Sequence, residues 1–533
     1  MSLETLQFDN RLTEQLPADK VMDNHCRPVE HAVYSYVKPT PTQSPRLISV
    51  STELAQSLDL TSTDINSHLF LDLMTGNKIL SGMKPYSLCY GGHQFGQWAG
   101  QLGDGRAINL GEISTRNSGR QALQLKGAGK TPYSRHADGL AVLRSSVREF
   151  LCSEAMFHLG IPTTRALSLC LTGEKVLRDK MYDGNAEYEL GAIVCRVSPS
   201  FLRFGSFQLP ASRDDHALLK ELVEFSINND FEHLKPQDGI FNENTYLNWF
   251  REISERTNKL IVDWMRVGFV HGVMNTDNMS IIGETIDYGP YGWIDDFDLD
   301  WTPNTSDRYE NRYAFGKQAQ ISQWNIMQLA NAIYPLINQA EPLQTIINDY
   351  LITYQQKWAA MMTKKLGFKQ YQESSDLIIF QSLETLLGTV ETDMTLFYRA
   401  LAKVPNNLSL DHHDAWLDIF GDCYYDLDSL TLEYKQNVKQ WLKGYINRIN
   451  SDSLTPQQRA DAMNQVNPIY VLRNYLAVQA IELAEQGDYS EILKLQKVLA
   501  HPYHEQAEYK EYAKKRPDWA REKFGCSMLS CSS

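Results

Sequence analysis

The residues best suited to chemistry lie in one short stretch, residues 271–289, which reads HGVMNTDNMSIIGETIDYG. Asn278 and Asp287 offer oxygen atoms of the kind that Mg²⁺ or Mn²⁺ takes, with phosphates and waters completing the coordination. Asp277 is the only carboxylate between His271 and Asn278, so it is the best candidate for a general base. A helix cap or another structural role is the alternative for Asp277. The stretch predicts a metal and nucleotide site.

The spacing in this stretch is that of kinase-type phosphotransferases, with one residue changed. Those enzymes carry His-Gly-Asp or His-Arg-Asp, then four residues and an Asn, then Asp-Phe-Gly. Here Val273 stands where the proton-accepting Asp would be, whereas Asn278 and Asp287-Tyr288-Gly289 keep the metal-binding positions. Either the chain is an inactive kinase that still binds nucleotide, or it uses ATP for a different reaction.

A glycine-rich segment, residues 90–112, precedes this stretch in the chain. Asp104-Gly105 is typical of a tight turn, and the alternation that starts at Ala107 predicts a strand. Glycines at such a turn let backbone N–H groups approach phosphates, and Arg106 adds a forked cation there. A glycine-rich hairpin without a ligand is the alternative.

The next predicted strand ends in a lysine. Leu123 and Leu125 alternate with Gln124 and Lys126, so the two pairs face opposite sides of the strand. Glu149 falls 23 residues after Lys126, in the middle of a predicted helix. This order matches the lysine–glutamate pair of kinases. A surface lysine and a solvent-facing glutamate are the alternatives.

Two arginines follow on and after a further predicted strand, Arg196 and Arg203. Beside a phosphate site, two arginines could clamp a polyphosphate through bidentate hydrogen bonds. The residues alone favour surface arginines, so this pattern does not decide the matter.

The organisation of the chain predicts an α+β protein with a bilobal, protein-kinase-like fold. Short strand-like runs dominate the first part, and helical periodicity dominates from about residue 215 to residue 500. We predict an N-terminal extension that packs on the lobes, a β-rich nucleotide-binding lobe, a large helical lobe with the catalytic and metal-binding loop, and a C-terminal tail. Their bounds are 1–84, 85–212, 213–510 and 511–533.

Composition narrows the class of protein. The chain has 533 residues, 43% of them hydrophobic and 22% charged, with a net charge of −14. An acidic balance argues against nonspecific binding to nucleic acid or to an anionic membrane. No apolar run approaches the roughly 20 residues that span a bilayer, and the N-terminus lacks the features of a targeting peptide. A cytoplasmic protein without nucleic-acid or membrane partners is the expectation.

Two further groups of residues are predicted to be structural. Of eight cysteines, six are expected to be buried thiols: Cys26, Cys89, Cys152, Cys170, Cys195 and Cys423. Cys526 and Cys531 lie in a polar tail, where an exposed thiol could react and a frayed terminus is the alternative. The acidic run from Asp295 to Asp300 is expected to be a solvated loop.

Taken together, four long motifs resemble the selenoprotein O family, whose members are protein adenylyltransferases with a pseudokinase fold. The motifs are YGGHQFGQWAGQLGDGRA, QLKGAGKTPYSRHADG, AVLRSSVREFLCSEAM and HGVMNTDNMSIIGETIDYGP. The resemblance runs from about residue 85 to residue 320, continues in NPIYVLRN at 467–474 and reaches the C-terminal Cys-Ser-Ser.

The resemblance implies that ATP binds in an inverted orientation and that AMP passes to Ser, Thr or Tyr hydroxyls of protein substrates with release of pyrophosphate. UMP transfer is a second activity that the resemblance leaves open. Asp277 then resembles the proton acceptor, and Asn278 and Asp287 resemble the Mg²⁺ or Mn²⁺ ligands. The residues that resemble the family's nucleotide contacts are Gly103, Gly105, Arg106, Lys126, Asp138, Gly139, Glu149, Arg196, Arg203 and Asp287.

The sequence departs from the family in three places. Some relatives carry selenocysteine third from the end, where this chain has Cys531. Other relatives have a cysteine after the Asp-Tyr-Gly motif that could pair with the tail, whereas residues 301–313 contain none here. Leu140, which directly follows Asp138-Gly139, replaces an arginine that is usual at this position in the family. Because residues 301–313 contain no cysteine, a disulfide between this segment and the C-terminal tail is not expected.

Three functions remain open at this point. The first is a Mg²⁺-dependent AMP transferase acting on protein hydroxyls. The second is a phosphotransferase that uses Asp277 as its base. The third is a nucleotide-binding scaffold without catalytic activity, whose helical region binds partners.

Overall fold

The computed structural model describes residues 3–180, 184–410 and 415–530. The chain is 46% helical and 17% strand, so the predicted mixture of helix and sheet is confirmed. The two-lobed, kinase-like arrangement and the four predicted units stay predictions.

Eleven strands form in the described residues. They are β1 Tyr34–Tyr36, β2 Arg46–Val50, β3 Tyr86–Leu88, β4 Gly91–Gln94, β5 Gln97–Gln101, β6 Ala107–Thr115, β7 Gly119–Lys126, β8 Arg165–Asp179, β9 Ala186–Ser198, β10 Phe269–Val270 and β11 Gly292–Trp293. Seven of them make one antiparallel sheet in the order β1-β3-β6-β7-β9-β8-β2. Its edge strands β1 and β2 come from the N-terminal residues, whereas β4–β5 and β10–β11 form two separate two-stranded sheets.

The first four α-helices of the described part of the chain are short, and the two longest, Glu243–Val267 and Ala340–Lys365, follow the large sheet. The helices are α1 Arg11–Gln15, α2 Thr52–Ser57, α3 Ser62–Ile65, α4 His68–Met74, α5 Leu143–His158, α6 Phe204–Ser212, α7 His216–Asp230, α8 Glu243–Val267, α9 Gln318–Ile337, α10 Ala340–Lys365, α11 Glu373–Thr389, α12 Met394–Leu401, α13 Leu417–Phe420, α14 Leu432–Asn450, α15 Pro456–Asn464, α16 Asn474–Glu485 and α17 Ser490–Leu499. None of the helices in the described ranges is long and apolar enough to cross a membrane.

Strand β7 shows why the sheet holds polar groups in fixed places. Leu123 and Leu125 point to one face and join a core with Leu73 of α4. Because side chains alternate along a strand, Gln124 and Lys126 point to the other face. In the antiparallel register Gln124 lies opposite Arg196 of β9, so that face carries three polar side chains side by side.

Helix α5 lies against this polar face. It begins at Leu143, directly after Leu140 and Val142 bridge to Ala128 and Gly191. Its apolar residues, including Val147 and Leu151, pack with the helices that follow the sheet. A helix anchored in this way can hold Glu149 at a fixed position beside the sheet.

A capping residue at each end sets the bounds of α8 and the start of the loop that follows it. Asn242 caps the start of α8 by accepting a hydrogen bond from the Thr245 N–H. Gly268 ends the helix in the left-handed conformation, with φ of 77°, which glycine adopts without strain. The chain then runs through β10 into residues 271–289.

Candidate active site

A cleft of about 810 Å³ gathers most of the predicted site residues. Its lining includes the predicted residues Gly103, Gly105, Arg106, Lys126, Asp138, Gly139, Arg196, Asp277, Asn278 and Asp287. Glu149 and Arg203 are not among the lining residues; both are buried and contact residues that are. The twelve residues chosen from the sequence therefore meet in one place.

Lys126 and Glu149 form an ion pair inside the cleft wall. Lys126 Nζ lies 2.6 Å from Glu149 Oε2, and the Glu149 side chain is only 3% exposed. Burial lowers the pKa of Lys126, and the charge of Glu149 opposes that effect. The solvent-facing alternative for Glu149 is therefore wrong. The pair holds the lysine ammonium where it can meet a phosphate.

Arg196 connects this ion pair to the Asp-Tyr-Gly motif. Its Nη1 lies 3.2 Å from Glu149 Oε1 and 2.6 Å from Asp287 Oδ1, and its Nη2 donates to Gln124 Oε1. The surface position that the residues alone favoured for Arg196 is wrong, since its side chain is 3% exposed.

Arg203 lies behind the cleft at the start of α6. Its Nη1 donates to the Asp287 carboxylate and, over 2.7 Å, to the main-chain oxygen of Asp277. The guanidinium carbon sits 4.5 Å from the centre of the Tyr90 ring. Arg203 is 1% exposed, so it is a buried cation that links the proposed base to the proposed metal ligand.

Asp287 receives two guanidinium groups on its two oxygens. Its φ of 56° places the backbone in the left-handed region, which Asp tolerates better than most residues. Burial alone would raise the pKa of Asp287, but Arg203, Arg196 and Lys126 together hold it well below its usual value. The carboxylate is therefore ionised throughout the neutral range.

Asp277 occupies a short 3₁₀ turn, Thr276–Asn278, beside the β4–β5 hairpin. Gln94 Nε2 donates to Asp277 Oδ2 over 3.3 Å, and Oδ1 is buried without a hydrogen-bond partner among the described residues. Burial raises the pKa of Asp277 to about 6. A carboxylate with a free oxygen and a pKa near neutrality is suited to accept a proton.

The hairpin lies directly on this turn. A Cβ on Gly92 would come within 2.5 Å of Asp277 Oδ1, so only glycine fits there. The His93 N–H donates to Thr276 Oγ1 over 2.7 Å, and the Phe95 N–H donates to Asn275 Oδ1 over 3.2 Å. Gln94 and Gly92 were not recognised as site residues from the sequence; the glycine-rich composition was the only available signal.

Asn278 and Asp287 fit the chemistry of a magnesium site. Asn278 Nδ2 donates to the Val273 main-chain oxygen over 2.9 Å, so its amide oxygen is the group left for a cation. A carboxylate has about four lone-pair positions, and two arginines use only part of them on Asp287. Mg²⁺ is commonly held by one or two carboxylates together with phosphates. Within residues 3–180, 184–410 and 415–530, no group of three His, Cys, Asp or Glu side chains is placed to hold a metal ion.

His271 supports the loop and does not face the cleft. It is buried, stacks on Trp264 with ring centroids 5.4 Å apart, and its Nε2 lies 2.9 Å from the Ile286 oxygen. The residue that follows Gly272 is Val273, which lines the cleft in the position where a kinase has its base.

Residues 131–134 pack against the turn that precedes β6. Gly103 has φ of 108°, and a Cβ there would lie 2.5 Å from the Tyr133 ring. Thr131 Oγ1 donates to the main-chain oxygen of Asp104 over 2.7 Å. Asp104 itself is buried, and burial raises its pKa more than Arg203 lowers it. The sequence indicated the turn but not this buried carboxylate.

Asp138 and Gly139 lie at the rim of the cleft. Gly139 has φ of 76°, and a Cβ would lie 2.3 Å from the Gly129 main chain. Asp138 Oδ2 and Oδ1 accept from the two terminal nitrogens of Arg178 over 2.7 and 2.8 Å. Arg178 was not predicted as a site residue, because it lies 40 positions away and only the fold brings it to Asp138.

Several expectations about other residues were wrong. Asp295 is buried and lies 3.0 Å from Arg473, which also binds Asp393, so this end of the acidic run is part of a buried ion cluster. Cys26 is exposed, and Cys526 is buried rather than exposed. The burial of Asp295 and Cys526 and the exposure of Cys26 depend on tertiary contacts, which no local sequence pattern reveals. Cys531 lies outside the described residues.

The segment after the Asp-Tyr-Gly motif contacts the tail without any cysteine. The Thr305 N–H donates to the Leu529 oxygen over 2.8 Å, and the Leu529 N–H donates to the Pro303 oxygen over 2.9 Å. Among the described residues, backbone hydrogen bonds therefore join loop and tail.

Comparison with known proteins assigns the family. A family model described as protein adenylyltransferase SelO matches residues 21–500. A protein nucleotidyltransferase YdiU of Rhodopirellula baltica is 53% identical over 539 residues and covers 99% of both chains. The proteins of that name from Azoarcus sp. and Flavobacterium johnsoniae are 53% and 48% identical and cover 100% of both chains. The resemblance seen in the motifs is confirmed: the chain belongs to the protein adenylyltransferase SelO family and is a nucleotidyltransferase.

Proposed function

We propose that this protein transfers AMP from ATP to Ser, Thr or Tyr hydroxyls of protein substrates and releases pyrophosphate. The observation that carries the proposal is the position of Asp277. Its carboxylate lines the same cleft as Lys126, Arg196 and Asp287, with one oxygen free, while Val273 occupies the position of a kinase base.

The charges in the cleft support an inverted nucleotide. Lys126 and Arg196 line its inner wall, and the buried Arg203 lies behind them. Phosphates bind best where cations are held in a desolvated site, so the β- and γ-phosphates belong at this end. The nucleoside then lies toward the rim at Asp138, and the α-phosphorus is the atom presented to an acceptor.

The reaction follows from this arrangement. The acceptor hydroxyl oxygen bonds to the α-phosphorus, and the bond from that phosphorus to the oxygen bridging to the β-phosphate breaks. Pyrophosphate leaves, and the hydroxyl proton passes to Asp277. With its pKa near 6, Asp277 is mostly ionised at neutral pH and can take that proton.

We propose Mg²⁺ or Mn²⁺ as the cofactor, held by Asn278 and Asp287. A bound divalent cation would offset the negative charge of the phosphates. Lys126 and Arg196 would hold the leaving pyrophosphate, and Glu149 would orient both through its two oxygens.

The test uses the full chain with Mg²⁺, an unstructured acceptor protein rich in Ser, Thr and Tyr, and ATP labelled at either the α- or the γ-phosphate. We expect protein label from α-labelled ATP only, together with pyrophosphate release. Label from γ-labelled ATP only would show a phosphotransferase. No label with intact ATP binding would favour a scaffold. α-Labelled UTP run in parallel tests UMP transfer.

A further inference from the structure

The β4–β5 hairpin carries an aromatic residue at its tip in an unfavourable backbone conformation. Gln94 pairs with Gln97 across the two strands, so Phe95 and Gly96 form the two-residue turn between them. The φ angles of Phe95 and Gly96 are 50° and 81°, and two positive values are typical of a type I′ turn. Asparagine or aspartate usually precedes glycine in this turn, because a bulky side chain is strained at positive φ. Phenylalanine is therefore an unfavourable residue for the hairpin itself.

The backbone of Phe95 is held in this conformation by two neighbouring segments. The Phe95 N–H donates to Asn275 Oδ1 over 3.2 Å and to the Tyr313 hydroxyl over 3.0 Å. The Tyr313 hydroxyl in turn donates to Asn275 Oδ1 over 2.5 Å. These bonds use the main chain of Phe95, so a residue of another type at this position can make them. The surroundings impose the strained backbone, but they do not require an aromatic ring.

The Phe95 side chain lies at the cleft beside the proposed base. Phe95 is 37% exposed and lines the cleft together with Gln94 and Asp277. Its ring contacts the Tyr313 ring, with centroids 5.4 Å apart. The preceding residue, Gln94, donates to Asp277 Oδ2 over 3.3 Å. A partly exposed apolar ring is thus held close to the group that would accept the hydroxyl proton.

We propose that Phe95 is a specificity-determining residue that binds the protein substrate through an apolar side chain near the acceptor hydroxyl. The inference rests on the proposed function, because an acceptor hydroxyl at Asp277 is what brings the substrate chain to the hairpin. Successive residues of an extended chain lie about 3.3 Å apart, so side chains within two positions of the hydroxyl can reach the ring. Contact with the ring removes both apolar surfaces from water and stabilises the complex. This contact gives the strained turn a function.

The test compares two fluorescent peptides that each contain a single serine. One peptide has leucines and the other has glycines at the two positions on either side of the serine. Binding is measured by fluorescence anisotropy with the full chain, Mg²⁺ and saturating α,β-methylene-ATP, whose carbon bridge prevents transfer of AMP. We expect the leucine peptide to bind the intact chain about tenfold more tightly than the glycine peptide, and Phe95→Asn to reduce this ratio to about one.

Two further variants separate the ring from the fold of the hairpin. Phe95→Tyr keeps an aromatic ring and should keep the preference for the leucine peptide. Trp98→Leu is the matched control, since Trp98 is a 38% exposed aromatic residue of β5 and is not among the described residues that line the cleft. It should keep the preference as well. The thermal unfolding midpoint of Phe95→Asn should not fall, because asparagine suits the turn.

Other results would overturn the inference. Equal binding of the two peptides to the intact chain, or a preference that survives Phe95→Asn, would place the apolar contact elsewhere. A lost preference with a clearly lower unfolding midpoint would make Phe95 a packing residue. An equal loss of affinity for α,β-methylene-ATP would place the ring on the nucleotide. Because the peptides bind without transfer, these results are separate from those with labelled ATP, which test the proposed function.

Discussion

Arg203 Nη1 donates to the main-chain oxygen of Asp277 over 2.7 Å and, from the same nitrogen, to the carboxylate of Asp287. One buried cation therefore sets the distance between the proposed base and the proposed metal ligand. Removing a partner from a buried ion pair leaves an uncompensated charge, which is strongly destabilising.

Arg203→Met should therefore lower both stability and transfer. We expect a loss of about 3–5 kcal/mol in the free energy of unfolding, measured in urea, because Asp287 keeps only one guanidinium partner. Arg251→Met, at an exposed arginine of α8, is the matched control and should change neither quantity. Normal stability of Arg203→Met would show that the cation is dispensable.

Asp277→Asn should slow AMP transfer about 10²- to 10⁴-fold while ATP binding persists, because an amide cannot accept the hydroxyl proton. Initial rates with α-labelled ATP measure the effect. Asp300→Asn, at an exposed aspartate, should leave the rate unchanged. Full activity of Asp277→Asn would mean that the proton leaves by another route.

Asp287→Ala should abolish metal-dependent transfer. Without this carboxylate Asn278 is the only remaining proposed ligand, and Arg196 and Arg203 lose their shared partner. Transfer measured across a Mg²⁺ titration, and again with Mn²⁺, should show no saturable activation. An unaltered metal response would refute the assignment of Asp287.

Gly92→Ala should reduce transfer, since the added methyl would lie 2.5 Å from Asp277 Oδ1 and push the hairpin away from the proposed base. The matched control is Gly444→Ala in α14, where a Cβ meets nothing within 4 Å. The measurement compares the transfer rates and the thermal unfolding midpoints of the two variants. Equal rates in the two variants would contradict the close contact.

The raised pKa of Glu284, a residue outside the proposed catalytic set, predicts that the stability of the protein depends on pH. Burial raises its pKa from 4.5 to about 8, and Ser198 Oγ lies 2.7 Å from its carboxyl group. The folded chain thus binds a proton that the unfolded chain releases above pH 4.5. The stability that this proton contributes is complete below that pH and is lost as the pH rises through about 8.

Glu284→Gln removes this proton linkage. We expect the variant to gain stability relative to the unaltered chain as the pH rises from 5 to 8.5 in urea unfolding, since the unaltered chain loses its stabilising proton over that range. A difference that does not change with pH would show that Glu284 titrates normally.

Local patterns predicted a large part of the site. Alternation along β7 placed Lys126 opposite the leucine face, helical periodicity placed Glu149 in α5, and the loop spacing singled out Asp277, Asn278 and Asp287. These predictions depend on regular periods or fixed offsets within short segments, which a sequence displays directly.

Long-range pairings could not be predicted in the same way. Arg196 and Arg203 appeared to be surface residues from their own neighbourhoods, because nothing local shows that Asp287 lies between them. The Asp138–Arg178 pair is likewise separated by 40 positions and was missed.

The sequence by itself determined which chemical groups are present, the order of turn, strand, helix and loop that carries them, and, through its motifs, the family. The tertiary structure decided which of those groups face one cleft, which lie buried behind it, and how burial and neighbouring charges shift their pKa values. The reason is physical: a side chain's environment is set by the segments packed against it, and those segments are distant in the chain.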